Sequence, residues 1–156
     1  MTHSDIDAPS LNRLEADHMA LLALCLRLEE AADSFETPDA GQDVAALAEE
    51  LTPFLSAAQA IEETRLFPDF DRHAGSCFGA MLIEQLKAEH RYDRFAAQEL
   101  SQTLKSLMEQ RCPLPLATVT AMMRGFAETL RRHLHAETLM IETLLAAKAE
   151  GREIFA

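Results

Sequence analysis

Residues 83–107 read IEQLKAEHRYDRFAAQELSQTLKSL. Ile83, Leu86, His90, Asp93, Ala97, Leu100, Leu104 and Leu107 recur through them in alternating steps of three and four. That rhythm lays one continuous stripe along a helix and leaves charged and amide residues on the opposite face. The run is more than twice an average helix of about 11 residues. A helix this long is stable only if other elements cover its apolar side along most of its length.

Working outward, three more segments supply that cover. Residues 116–149 carry the stripe Val119, Met123, Phe126, Leu130, His133, Glu137, Met140, Leu144. Residues 10–35 carry Leu11, Leu14, His18, Leu21, Cys25, Leu28. Residues 43–70 are less regular, with Leu55, Gln59, Glu63, Leu66 and Phe70 facing inward, and Pro53 is expected to kink them. Breakers separate the segments: Pro38, Asp39 and Gly41, then Pro68 to Ser76 with Gly75, then Cys112, Pro113 and Pro115. Short connections between long helices favour antiparallel neighbours, so the chain reads as an all-α, up-down-up-down four-helix bundle. The bundle is expected to span residues 10–149, with a flexible N-terminus over 1–9 and a C-terminal tail over 150–156.

Composition agrees. The chain has 156 residues, 48% of them hydrophobic, enough for one domain with a real core. Five Gly, one Tyr and no Trp leave too few turn and strand formers for an all-β fold. Fourteen Lys+Arg against 26 Asp+Glu give a net charge of −12, which argues against nucleic acid and anionic membrane as partners. Cys25, Cys77 and Cys112 match neither a zinc pattern nor a disulfide framework. The polar, acidic N-terminus lacks the features of a signal peptide, and no apolar run reaches membrane length. A cytoplasmic location is expected.

Each stripe is interrupted near its middle by groups that are costly to bury unless paired or bound to a metal: His18, Gln59 with Glu63, His90 with Asp93, and His133 with Glu137. Their depths agree. His18 lies 20 residues before a turn centred near 38, and Gln59 lies 21 after it. His90 lies 23 before a turn near 113, and the midpoint of His133 and Glu137 lies 22 after it. At about 1.5 Å per residue the mismatches, including the middle turn, amount to roughly 1.5 to 4.5 Å. All four clusters therefore fall in one layer of an antiparallel bundle. His133 and Glu137, four residues apart, share a helix face, as do Gln59 and Glu63. Mixed nitrogen and oxygen donors suit iron, manganese or zinc. The competing reading is a hydrogen-bonded network that fixes helix register. Asp93 is expected to pair with Arg94 or Arg131 at the surface. His135, His73 and His3 are expected outside the layer, and Cys25 is expected to pack in the core.

Four pieces in order resemble the hemerythrin-like family with its HHE cation-binding domain: EADH ending in His18, EETRLFP at 62–68, AEHRYDR around His90, and HLHAETL from His133. The resemblance covers roughly residues 11–145. It implies a four-helix bundle around a non-haem di-iron centre, and members that bind or sense dioxygen or nitric oxide, handle peroxide, store or deliver iron or regulate other proteins; for this chain the expected cofactor is iron, one or two ions. It puts His18, Glu63, His90, His133 and Glu137 in metal-ligand positions. Gln59 stands where the second helix of the family carries a His, so it would be a weak donor or a hydrogen-bonding neighbour. Arg94 stands where oxygen carriers have a further His, which excludes a five-histidine carrier site. No organic cofactor is expected.

The ferritin-like alternative needs two Glu-x-x-His pairs, and only Glu15 with His18 fits. The functional expectation is an iron-binding protein that binds or senses oxygen, nitric oxide or redox state. Two alternatives stand beside it: an enzyme turning over peroxide or nitric oxide at the same site, and a metal-depleted regulatory or interaction bundle.

Overall fold

A computed structural model describes residues 5–35 and 40–155. His3 and the breakers Pro38 and Asp39 lie outside them. Helix α1 spans Ala8–Asp33, α2 spans Ala40–Ile61, a π-helical turn spans Glu62–Leu66, α3 spans Phe67–Ala74, α4 spans Cys77–Met108 and α5 spans Leu116–Glu150. The backbone stays helical from Ile61 through Phe67, so α2, the π turn and α3 form one rod. α1 packs on α2 and α5, α2 packs on α4, and α4 packs on α5. Four rods thus close a ring, the four-helix bundle that the stripes predict. No described helix is long and apolar enough to cross a membrane.

Local chemistry sets the boundaries. The Asp7 carboxylate accepts from Ser10 N at 2.7 Å, and Pro9 occupies the first turn of α1, where no helical N–H is lost. Ser76 caps α4 in the same way. Gly75 ends α3 at φ 71°, and its bare Cα lies against the Glu153 side chain, where a Cβ would collide. Gly41, read as part of a turn, lies inside the first turn of α2.

The stripe residues of α1, α4 and α5 fill the core: Leu14, Leu21, Cys25 and Leu28 face Leu100, Leu104, Met123, Leu130 and Leu144 across one apolar cluster. Both ends of the described chain fold back onto it. Ile6 is buried and its N–H donates to Asp69, while Ile154 and Phe155 donate backbone hydrogen bonds to the carbonyls of His73 and Ala74.

The second rod departs from expectation. α2 runs through Pro53 without ending. The irregularity comes later, where the Phe67 N–H reaches back five residues to the Glu62 carbonyl. This wide turn shifts the inward row. It passes through Leu51, Leu55, Ala58 and Glu62, then continues in steps of four to Leu66, Phe70 and Ala74.

Candidate metal centre

The inward row determines which carboxylate enters the core. The Glu62 side chain is 2% exposed and that of Glu63 is 31% exposed. Strict i,i+4 pairing with Gln59 places Glu63 inside, but Glu62 holds the inward position. Counting back in fours from Phe70 through Leu66 reaches Glu62 and then Ala58, and that count was available in the sequence.

Glu62 meets His18 from α1, His90 from α4 and Glu137 from α5, all buried. His18 Nε2 lies 2.8 Å from Glu62 Oε1 and 3.5 Å from Glu137 Oε2. His90 Nε2 lies 2.9 Å from Glu62 Oε2 and 2.8 Å from Glu137 Oε1. Each carboxylate therefore turns one oxygen to His18 and the other to His90. His18, Glu62 and Glu137 each offer a ligand atom, and these lie within 4.8 Å of one another.

The remaining expected residues surround this group. Glu63 accepts from His90 Nδ1 at 2.8 Å, on the edge of the ring away from Glu62 and Glu137. Phe67 stacks on the same ring with centroids 5.4 Å apart. Gln59 is buried; its carbonyl accepts from Arg94 at 2.8 Å and its amide donates to the His90 carbonyl at 3.4 Å. His133 lies one step out. Its Nδ1 donates to Asp93 at 2.5 Å and its Nε2 lies 3.2 Å from Glu89. Asp93 is thus buried against His133 rather than paired with Arg94 or Arg131 at the surface. Arg131 instead forms a bidentate pair with Glu29. Inward glutamate at 62 also moves the position four residues ahead of it from Gln59 to Ala58, which offers no donor. A small cavity touches Glu62, His90, Asp93, His133 and Glu137, with Leu21, Leu55, Ala58 and Leu130 forming its apolar wall.

The charges are mutually dependent. Burial disfavours the imidazolium of His90, but the hydrogen bonds and charges of Glu137 and Glu62 outweigh it and push its pKa up to about 10. His18 is raised by the same balance between burial and Glu62. Burial alone would raise Glu62, yet the two imidazoles hold it down at about 2. Burial and then the nearby Glu62 charge push Glu137 up to about 7 against the pull of His90. His133 is raised by its bond to Asp93.

Donors do not match acceptors in this group. Four carboxylate oxygens face two Nε2 atoms, and each Nε2 carries at most one hydrogen. The buried Glu62 Oε2 has no well-directed hydrogen-bond donor among the described residues. A buried oxygen without a donor beside two imidazoles and a second carboxylate fits a bound cation. The other His–carboxylate group, Asp5, Asp69 and His73, already holds a cation: Lys148 Nζ lies 2.6 Å from Asp69 and 3.2 Å from Asp5.

Searches of curated proteins and of solved structures found no match. The family model described as the hemerythrin HHE cation binding domain matches residues 10–145, which take in most of all four rods and every residue of the buried group. The chain belongs to the hemerythrin HHE cation-binding family.

Proposed function

We propose that the protein binds iron at a centre that His18, Glu62, His90 and Glu137 would hold, and uses it to bind or sense dioxygen or nitric oxide. One observation carries the reading: the two buried carboxylates each divide their oxygens between His18 and His90. His18 and His90 would supply nitrogen donors to the iron, and Glu62 and Glu137 oxygen donors. His133 and Gln59 line the same cavity, and Ala58 adds no donor to it.

Bound iron would supply open coordination positions and a change of oxidation state. The protein supplies the rest. The paired carboxylates bring negative charge to one buried point between His18 and His90, and the imidazoles would release protons as cations enter. The apolar wall of Leu21, Leu55, Ala58 and Leu130 keeps bulk water from the site. The three free thiols, Cys25, Cys77 and Cys112, suit a reducing cytoplasm.

Anaerobic iron loading followed by metal analysis tests the reading. Up to two ions per chain are expected, with absorption changes when oxygen or nitric oxide is added. Chains that hold no metal after loading would refute it. Peroxide or nitric oxide turnover by the loaded protein would move the assignment to the enzyme alternative.

A further inference from the structure

Glu63 touches His90 but not the oxygens that His90 faces, and this separates two roles that the sequence merges. An imidazole has two nitrogens on opposite edges of the ring, and one metal can take only one of them. In His90 the Nε2 edge faces Glu62 and Glu137 at 2.9 and 2.8 Å. The Nδ1 edge faces Glu63 at 2.8 Å. A metal on Nε2 is therefore out of reach of a carboxylate bonded at Nδ1.

Glu63 is itself held. Arg94 Nη1 lies 3.5 Å from the same Glu63 oxygen and 2.8 Å from the Gln59 carbonyl. Phe67 fixes the face of the His90 ring that the carboxylates leave free. Gln59, Arg94, Glu63 and Phe67 come from two rods, yet all converge on the orientation of one side chain.

We propose that Glu63 is a positioning residue: it fixes His90 as the Nδ1–H tautomer with Nε2 directed at the metal, and Arg94, anchored by Gln59, holds Glu63 in place. This rests on the metal-binding reading above. Neighbouring carboxylates that orient a metal-bound histidine are worth about 10–100-fold in metal affinity. The same assignment accounts for Gln59: its amide is engaged by Arg94 and the His90 carbonyl, so it acts on the centre through these neighbours rather than as a ligand.

The test compares Glu63→Leu with Glu63→Gln by zinc titration against a chelator, together with nitrogen-detected NMR of His90 in the zinc-loaded wild type. Glu63→Leu is expected to lose about 10–100-fold in affinity while still reaching the wild-type stoichiometry at saturation. Glu63→Gln keeps an oxygen that can accept from Nδ1–H and should stay within a few-fold of wild type. The NMR should show zinc on Nε2 and hydrogen on Nδ1. If Glu63 were a ligand, both variants would lose affinity alike and saturate at fewer ions. If it only braced the fold, Glu63→Leu would melt earlier without its zinc and bind zinc as tightly as wild type. Either result overturns the proposal, as does zinc on Nδ1, which needs no variant to observe. Wild-type protein that binds no metal would refute the parent reading and this inference together, a result distinct from the other three.

Discussion

Asp69 and Glu62 are both fully buried carboxylates, seven residues apart on one rod, and their surroundings differ in kind. Asp69 faces permanent charge. Its Oδ2 accepts from Lys148 at 2.6 Å and from the Ile6 N–H at 2.9 Å, and its Oδ1 lies 3.6 Å from Arg72. Among the described residues, the ionisable groups against Glu62 are imidazoles and another carboxylate. Lysine and arginine keep their protons at any physiological pH, whereas an imidazole gives one up to an incoming metal. The Asp69 group is thus closed by the protein's own cation and ties the chain ends to the bundle. The Glu62 group is closed by protons that can leave.

The sharpest way to break this comparison is to remove one acid from each group. Glu137→Leu should abolish nearly all metal binding, since its oxygens face both His18 and His90. Asp69→Ala should leave metal per chain unchanged and lower stability by about 3 kcal/mol, near the low end for a broken buried pair because Lys148 keeps some contact with water. Metal analysis and denaturant melts read the two outcomes. Metal loss from Asp69→Ala, or metal retention in Glu137→Leu, would erase the distinction.

A smaller effect separates the groups by pH. His90 is raised from 6.5 to about 10, so the stability it contributes is whole below 6.5 and is lost as pH rises through 10. Glu137, raised from 4.5 to about 7, adds a loss in the same direction between those values. Metal-free protein should therefore melt several degrees lower at about pH 9.5 than at about pH 5.5, and His90→Leu should flatten the difference. Metal affinity should rise over the same range, because binding displaces imidazole protons. A metal-free melting temperature that climbs with pH would contradict the assignment.

The smallest change is expected outside both groups. Arg131 and Glu29 form a bidentate pair at 2.8 and 2.9 Å, but both are only half-buried. Arg131→Gln should cost about 0–1 kcal/mol in a denaturant melt and leave metal content alone. A larger loss would mean that surface pairs here are as consequential as buried ones.

The stripes of α1, α4 and α5 could be read from the sequence because regular helices keep a fixed relation between number and direction. His18, His90 and Glu137 are inward for that reason. Asp93 also sits on the predicted stripe, but its partner could not be read, since His133 reaches it from a helix 40 residues away. The second rod misled because its periodicity changes within Glu62–Leu66. Three and four residues after Gln59 both lie near its face in an α-helix, so Glu62 and Glu63 were equivalent until the apolar residues beyond them were counted. The split between residues that face the buried oxygens and residues that brace them, as Glu63 braces His90, is a matter of ring edges, which spacing does not encode.

The π turn gives the second rod a place to absorb a change of length. It holds one residue more than a regular helical path over the same stretch. Deleting Thr64 or Arg65 would remove that surplus, let α2 run into α3 as uninterrupted α-helix and leave the phase beyond it unchanged, with Phe67, Phe70 and Ala74 still on the core and Gly75 still beside Glu153. The same deletion in the regular part of α2 would rotate everything beyond it by about 100°. In this rod the effect of a lost residue depends on whether it falls inside the wide turn or outside it.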